Sequence, residues 1–178
     1  VSIGKNALTS IDKAAEDYLL CFKKVYPYAD YVVANISSPN TKDLRKLESK
    51  EYFSNLLTLL KKEQSNQKVK YGYKPLLLKL SPDLDEKHYE ELAKEILDKQ
   101  IDGIICFNTT NSHNYSTEGG LSGEKLFKLS TTFSAYSISK SLPSCSWWRI
   151  KTLPLSIDST YIVGIVFLTL ASLVGVSL

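Results

Sequence analysis

The stretch Pro75-Leu-Leu-Leu-Lys-Leu-Ser-Pro-Asp-Leu84 decides the fold class. Three consecutive leucines read as a strand buried on both faces, because a strand with one wet face alternates apolar and polar residues. Ser81-Pro-Asp then breaks the run and starts a helix, with a capping hydroxyl and an acid at the positive end of the helix dipole. Downstream, Tyr89, Leu92, Ile96 and Leu97 recur at helical spacing within Leu84–Gln100. The unit is therefore strand, tight turn, helix.

The same grammar recurs on either side. Val1–Ile3, Tyr31–Ile36 and Gly103–Phe107 are further short apolar runs. Between them, Ile11–Tyr26 puts Ile11, Ala14, Ala15, Tyr18, Leu19, Phe22 and Val25 on one face, and Tyr52–Gln64 does so with Phe53, Leu56, Leu57 and Leu60. Ser10 reads as a further capping residue. Repeated strand–helix alternation predicts right-handed βαβ units and a parallel sheet. Chemistry in such sheets collects beyond the carboxyl ends of the strands. That rule selects Gly4–Asn6, Asn35–Thr41, Lys79–Pro82 and Asn108–Thr110.

Composition supports an ordinary globular α/β chain: 178 residues, 43% hydrophobic and 23% charged, with net charge +3. Basic and acidic residues are interspersed, which argues against a nucleic-acid surface. Cys21, Cys106 and Cys145 are odd in number and widely spaced, so neither a disulfide framework nor a zinc site is expected. His88 and His113 have no metal-ligand spacing, and Asp83, Asp85 and Glu86 read as a solvated helix face. From residue 131 onward the character changes. Only Lys140, Arg149, Lys151 and Asp158 are charged there, and Tyr161–Leu178 has no charge at all.

Asn35-Ile-Ser-Ser-Pro-Asn-Thr41 is the strongest motif. Asn35 and Ser37 share a strand face, and Pro39 ends the strand, leaving Ser38, Asn40 and Thr41 on its exit turn. These amides and hydroxyls suit a planar ligand rich in carbonyl and N–H groups; a plain Asn/Ser/Pro turn is the alternative. Lys79, flanked by leucines, needs a bound anion, a salt bridge or a solvated rim. Asn108-Thr-Thr-Asn111 repeats the amide-and-hydroxyl theme, and Gly119-Gly-Leu-Ser-Gly123 is a turn whose backbone N–H groups are able to approach a phosphate or flavin.

Together these motifs resemble the class 2, quinone-linked dihydroorotate dehydrogenases. The resemblance is carried by Ser-Ile-Gly-Lys-Asn (2–6), Ala-Glu-Asp-Tyr (15–18), Ala-Asp-Tyr (29–31), Asn-Ile-Ser-Ser-Pro-Asn-Thr (35–41), Leu-Arg-x-Leu (44–47), Lys-Leu-Ser-Pro-Asp-Leu (79–84), Ile-Asp-Gly (101–103), Asn-Thr-Thr (108–110) and Gly-Gly-Leu-Ser-Gly (119–123). It implies part of a (β/α)8 TIM barrel, about four βα units, over residues 1–130. It also implies FMN as cofactor, oxidation of dihydroorotate to orotate in pyrimidine biosynthesis, a quinone acceptor, and peripheral association with the cytoplasmic face of the inner or cell membrane. Position by position, Ser38 resembles the catalytic base, and Asn35, Asn40, Asn108 and Thr109 the substrate partners. Lys79, Gly123, Asn35 and Ser2 fall at FMN-contacting positions. Ser2 stands where the family usually has Asn, and Phe107 where Thr is common.

Residues 131–178 are expected as a non-family tail, irregular or helical, attached to an internal piece of the barrel. Ser146-Trp-Trp-Arg149 suggests an out-of-frame reading of a Gly-Gly strand end, since two TGG codons read one nucleotide later give glycine codons. Alternatives are an apolar span or interfacial helix over Tyr161–Leu178, making a membrane-tethered interaction protein, or a non-catalytic βα module. An open half-barrel is expected to expose both sheet edges and to be inactive by itself.

Overall fold

The computed structural model describes residues 1–37, 50–84, 86–110, 112, 120–123, 126 and 164–167. Strands β1 (Ser2–Ile3), β2 (Val32–Asn35), β3 (Leu76–Lys79) and β4 (Gly103–Cys106) alternate with helices α1 (Ala14–Val25), α2 (Lys50–Tyr71) and α3 (Glu86–Asp98). The strands lie in the order β1-β2-β3-β4, and every neighbouring pair is parallel. Consecutive parallel strands joined by helices are the repeating unit of a (β/α)8 barrel, and the described residues show three βα units and the strand of a fourth.

Register sorts the side chains onto two faces. Val32, Ala34, Leu76, Leu78, Ile104 and Cys106 join the main core with Tyr18, Phe22, Phe53, Leu56, Leu57, Leu60, Leu92 and Ile96 of the helices. Burying one such large side chain contributes roughly 1.5–3 kcal/mol, so Phe22→Ala is a change that would undo the α1 packing. The opposite face carries a separate small cluster, Val33, Leu77 and Ile105. Asn35 pairs in register with Lys79, and Lys79 with Ile105, so this second face ends in two polar side chains on adjacent strands.

Helix boundaries depart from the periodic pattern for local reasons. Ser10 makes no side-chain cap; a 3-10 turn over Ile11–Lys13 leads into α1 instead. α2 runs beyond Gln64 to Tyr71, because Gln67, Lys68 and Lys70 favour helix without any apolar face to mark them. Gly72, at φ 77°, stops it, and its N–H reaches the Lys68 carbonyl at 3.0 Å.

One feature of the apolar tail differs from the expected irregular or helical form. Gly164–Phe167 is a strand, β5, paired antiparallel with β4. Ile and Val favour extended backbone, and the free edge of β4 supplies the unpaired donors and acceptors. That edge is therefore covered rather than exposed. No helix among the described residues is long and apolar enough to cross a membrane.

Candidate active site at the carboxyl ends of the strands

Three strand ends meet. Asn108 follows β4, and its backbone N–H donates to the Leu80 carbonyl at 2.9 Å, while Leu80 N–H donates to Ile105 at 3.2 Å. These bonds extend the sheet past its last ladder pair and hold Asn108 beside the exits of β2 and β3. Its side-chain Nδ2 then reaches Asn35 Oδ1 and Ser37 Oγ, both at 3.4 Å, across more than seventy residues of sequence. Ser37 is fully buried and donates to the Lys79 carbonyl at 2.9 Å, tying β2 to β3. Tyr18, buried in α1, donates to the Asn35 carbonyl at 2.6 Å. The backbone that carries Asn35 is thus fixed from the helix layer, and its amide from the neighbouring strand ends.

The free valences at this rim are donors. Asn35 Oδ1 accepts from Ser37 and Asn108, but Asn35 Nδ2 makes no hydrogen bond among the described residues. Lys79 Nζ makes neither a hydrogen bond nor an ion pair among them. Burial pushes the Lys79 ammonium below the usual lysine range, and no carboxylate draws it back. Among the described residues, the half-buried Lys79 cation and the Asn35 N–H₂ are donors with no acceptor. A ligand with carbonyl, carboxylate or other anionic oxygens supplies what is missing.

The loop after β4 is closed onto a later turn. Thr110 and Leu121 exchange both backbone hydrogen bonds, at 3.1 and 2.7 Å. Thr109 N–H caps Asn108 Oδ1 at 2.9 Å. A Cβ on Gly120 would overlap the Thr109 side chain, so only glycine allows this approach. Gly123 adopts φ 76° with open space around its Cα.

Of the expected site residues, Asn35, Lys79 and Asn108 come together, and Thr109 adjoins Asn108. Ser2 pairs with Val33 and so shares the face of Asn35, one row lower on the next strand, where its side chain is exposed. Gly123 sits on the bridged turn. Ser38 and Asn40 lie outside the described residues, as do Thr41, His113 and Gly119. Phe107 is buried and stacks on Tyr89 at 5.7 Å between ring centroids, within the helix-side core. Sequence reasoning missed Asp83. It reads there as part of a solvated helix face, yet it precedes α3 and accepts the Thr110 hydroxyl. Its position directly after Ser-Pro, in a strand-exit turn, was the available signal.

A family profile described as Dihydroorotate dehydrogenase matches residues 1–141. The chain belongs to the dihydroorotate dehydrogenase family. It is 48% identical over 139 residues to the dihydroorotate dehydrogenase (quinone) of Legionella pneumophila strain Corby, covering 74% of this chain and 42% of that protein. The corresponding protein of Actinobacillus pleuropneumoniae serotype 5b is 46% identical over the same length, with the same coverage. Among solved structures, the dihydroorotate dehydrogenase of Eimeria tenella in complex with ferulenol superposes with a TM-score of 0.69 at 31% identity, over 78% of this chain and 42% of that one. The fold is accordingly part of a TIM barrel, and the chain spans less than half the length of the relatives it matches. Membership of this oxidoreductase family accounts for polar residues gathered at the carboxyl ends of β2, β3 and β4, the barrel face on which such enzymes build their sites.

Proposed function

We propose that this chain carries the pyrimidine- and flavin-facing rim of a quinone-dependent dihydroorotate dehydrogenase, which oxidises dihydroorotate to orotate in pyrimidine biosynthesis. One observation carries the reading: Asn35, Lys79 and Asn108 converge at three adjacent strand ends, and the Lys79 ammonium has no counter-charge among the described residues. Dihydroorotate is a flat ring dense in carbonyl and N–H groups with one carboxylate, which complements unspent amide donors and a cation.

The donor set also fits FMN. Lys79 would stand against the flavin ring system, where its charge favours electron density arriving there, and the left-handed backbone at Gly123 allows a close main-chain approach. When bound, FMN supplies the hydride acceptor for the C6 hydrogen and passes two electrons on to a quinone. The chain's own residues do the rest. Asn35, Asn108 and Thr109, with Asn40, hold the ring carbonyls and carboxylate so that one face of the substrate meets the flavin. Ser38, directly after the buried and hydrogen-bonded Ser37, is assigned to take the C5 proton as C6 loses its hydride, leaving a C5–C6 double bond. A neutral serine is a weak base, so proton removal has to be coupled to hydride departure. Quinones dissolve in membranes, so this reading places the protein at a membrane surface as a peripheral enzyme.

The test is reconstitution of the full chain with FMN, followed by flavin absorbance, orotate titration, and orotate formation with a soluble quinone analogue. Flavin and orotate binding by the folded chain is the expected result, and any product formation is expected to be abolished in Ser38→Ala. Absence of both FMN and orotate binding by the folded chain would overturn the reading.

A further inference from the structure

Two loops on the rim are fastened together by the side chains of Asp83 and Thr110. The hydroxyl of Thr110, a residue only 5% exposed, donates to the Asp83 carboxylate, joining the loop after β4 to the loop after β3. The same oxygen accepts from Ser112 N–H at 2.9 Å, so its donor and acceptor directions are both fixed. Asp83 is held in turn, because its backbone N–H donates to the buried Ser81 hydroxyl at 3.1 Å. On the other side Thr110 is bridged to Leu121, and Gly120 lies against the Thr109 side chain.

We infer that Asp83 and Thr110 are positioning residues that set the geometry of Asn108 and Thr109 toward the pyrimidine. Thr110 is clamped by Asp83 from the loop after β3 and by Leu121 from the later turn. The two residues before it, anchored at their other end by the Asn108–Leu80 backbone bond, are left little freedom. Lys79, the flavin-facing residue in the reading above, belongs to β3 itself, before the Leu80–Leu84 loop that carries Asp83. This inference rests on the pyrimidine reading given above.

The experiment compares the full wild-type chain with Thr110→Val, Thr110→Ser and Asp83→Ala, measuring orotate affinity, FMN affinity and urea midpoint. Thr110→Val and Asp83→Ala are expected to weaken orotate about tenfold, the worth of one charge-assisted hydrogen bond. FMN affinity should stay within about twofold on the same scale, and Thr110→Ser, which keeps the hydroxyl, should bind orotate nearly as wild type does. Asp83 is exposed, so its truncation leaves no cavity and carries the test if Thr110→Val does not fold. Unchanged orotate affinity in the variants overturns the inference, as does a parallel loss of FMN and orotate, which marks a purely structural tie. Wild type that binds FMN but no orotate is a different failure: the pyrimidine reading falls, and this assignment with it.

Discussion

The two ends of the parallel sheet treat their polar groups in opposite ways. At the amino ends of β3 and β4, Asp102 accepts from Leu76 N–H at 2.8 Å, from Gln64 Nε2 at 3.0 Å and from the Tyr73 hydroxyl. Gln64, only 2% exposed, also donates to the Lys74 carbonyl at 2.8 Å. Lys74 Nζ reaches the carbonyls of Ala29 and Pro27 at 2.5 and 3.4 Å. At the carboxyl ends the bonds to the Asn35 amide are long, 3.3 to 3.4 Å, and Lys79 Nζ and Asn35 Nδ2 remain without partners among the described residues. Strand geometry is the same at both ends. What differs is whether polar groups are satisfied by the chain or left for something else, which separates a stabilising end from a binding one.

Breaking the satisfied end should cost the most. Asp102→Ala removes three hydrogen bonds and takes from the buried Gln64 one of its two partners, so we expect a loss of about 3 kcal/mol in stability, read as a lowered urea midpoint. A midpoint close to wild type would contradict the division of roles. Asn108→Ala should leave the midpoint nearly unchanged and weaken orotate about tenfold, or about 1.4 kcal/mol; calorimetric titration measures it.

A smaller effect sharpens the contrast. Tyr73→Phe removes one bond to Asp102 and should cost about 1 kcal/mol. Burial, then the hydrogen bond to Asp102, raises the Tyr73 hydroxyl above the ordinary tyrosine value of 10.0. A raised folded value means that the stabilisation is complete below pH 10 and fades as pH climbs through that value. The difference between wild type and Tyr73→Phe should therefore be constant through neutral pH and shrink in strongly alkaline urea titrations.

The smallest expected effect is the pH response of Lys79. Its folded value is lowered by burial, so the unfolded chain binds the proton more tightly. The cost of burying the charge is present at neutral pH and is relieved as pH rises toward 10.5, the ordinary lysine value. Lys79→Met should be as stable as wild type or more so at pH 7, by up to about 1 kcal/mol, with the gap closing at alkaline pH. A less stable variant would mean that Lys79 is a structural partner.

Much of this was legible in the residues. Leu76–Leu78 and Gly103–Ile105 announce doubly covered strands, and the polar groups placed just after them, Lys79 and Asn108, lie at the rim as parallel-sheet geometry demands. The helix faces were legible for the same reason, since Tyr18, Phe22, Leu56, Leu57 and Leu60 repeat at helical spacing and are buried. Features that depend on distant partners were not. The Ser-Pro turn is the one local hint at Asp83; the hydroxyl that donates to it lies twenty-seven residues away, on Thr110. The Tyr18 hydroxyl is hidden behind an apolar role, and its bond to Asn35 emerges only when α1 packs on β2. The strand at Gly164–Phe167 depends on the free edge of β4, which hydropathy alone does not reveal.

On the proposed reading, the Lys79 ammonium is held for an anionic or electron-rich ligand and not for the fold. Equilibrium titration of wild type and Lys79→Met with FMN, followed by flavin fluorescence, tests it most directly. We predict FMN affinity at least about tenfold weaker in the variant, with an equal or higher urea midpoint. Equal affinity in two equally stable chains would contradict the account.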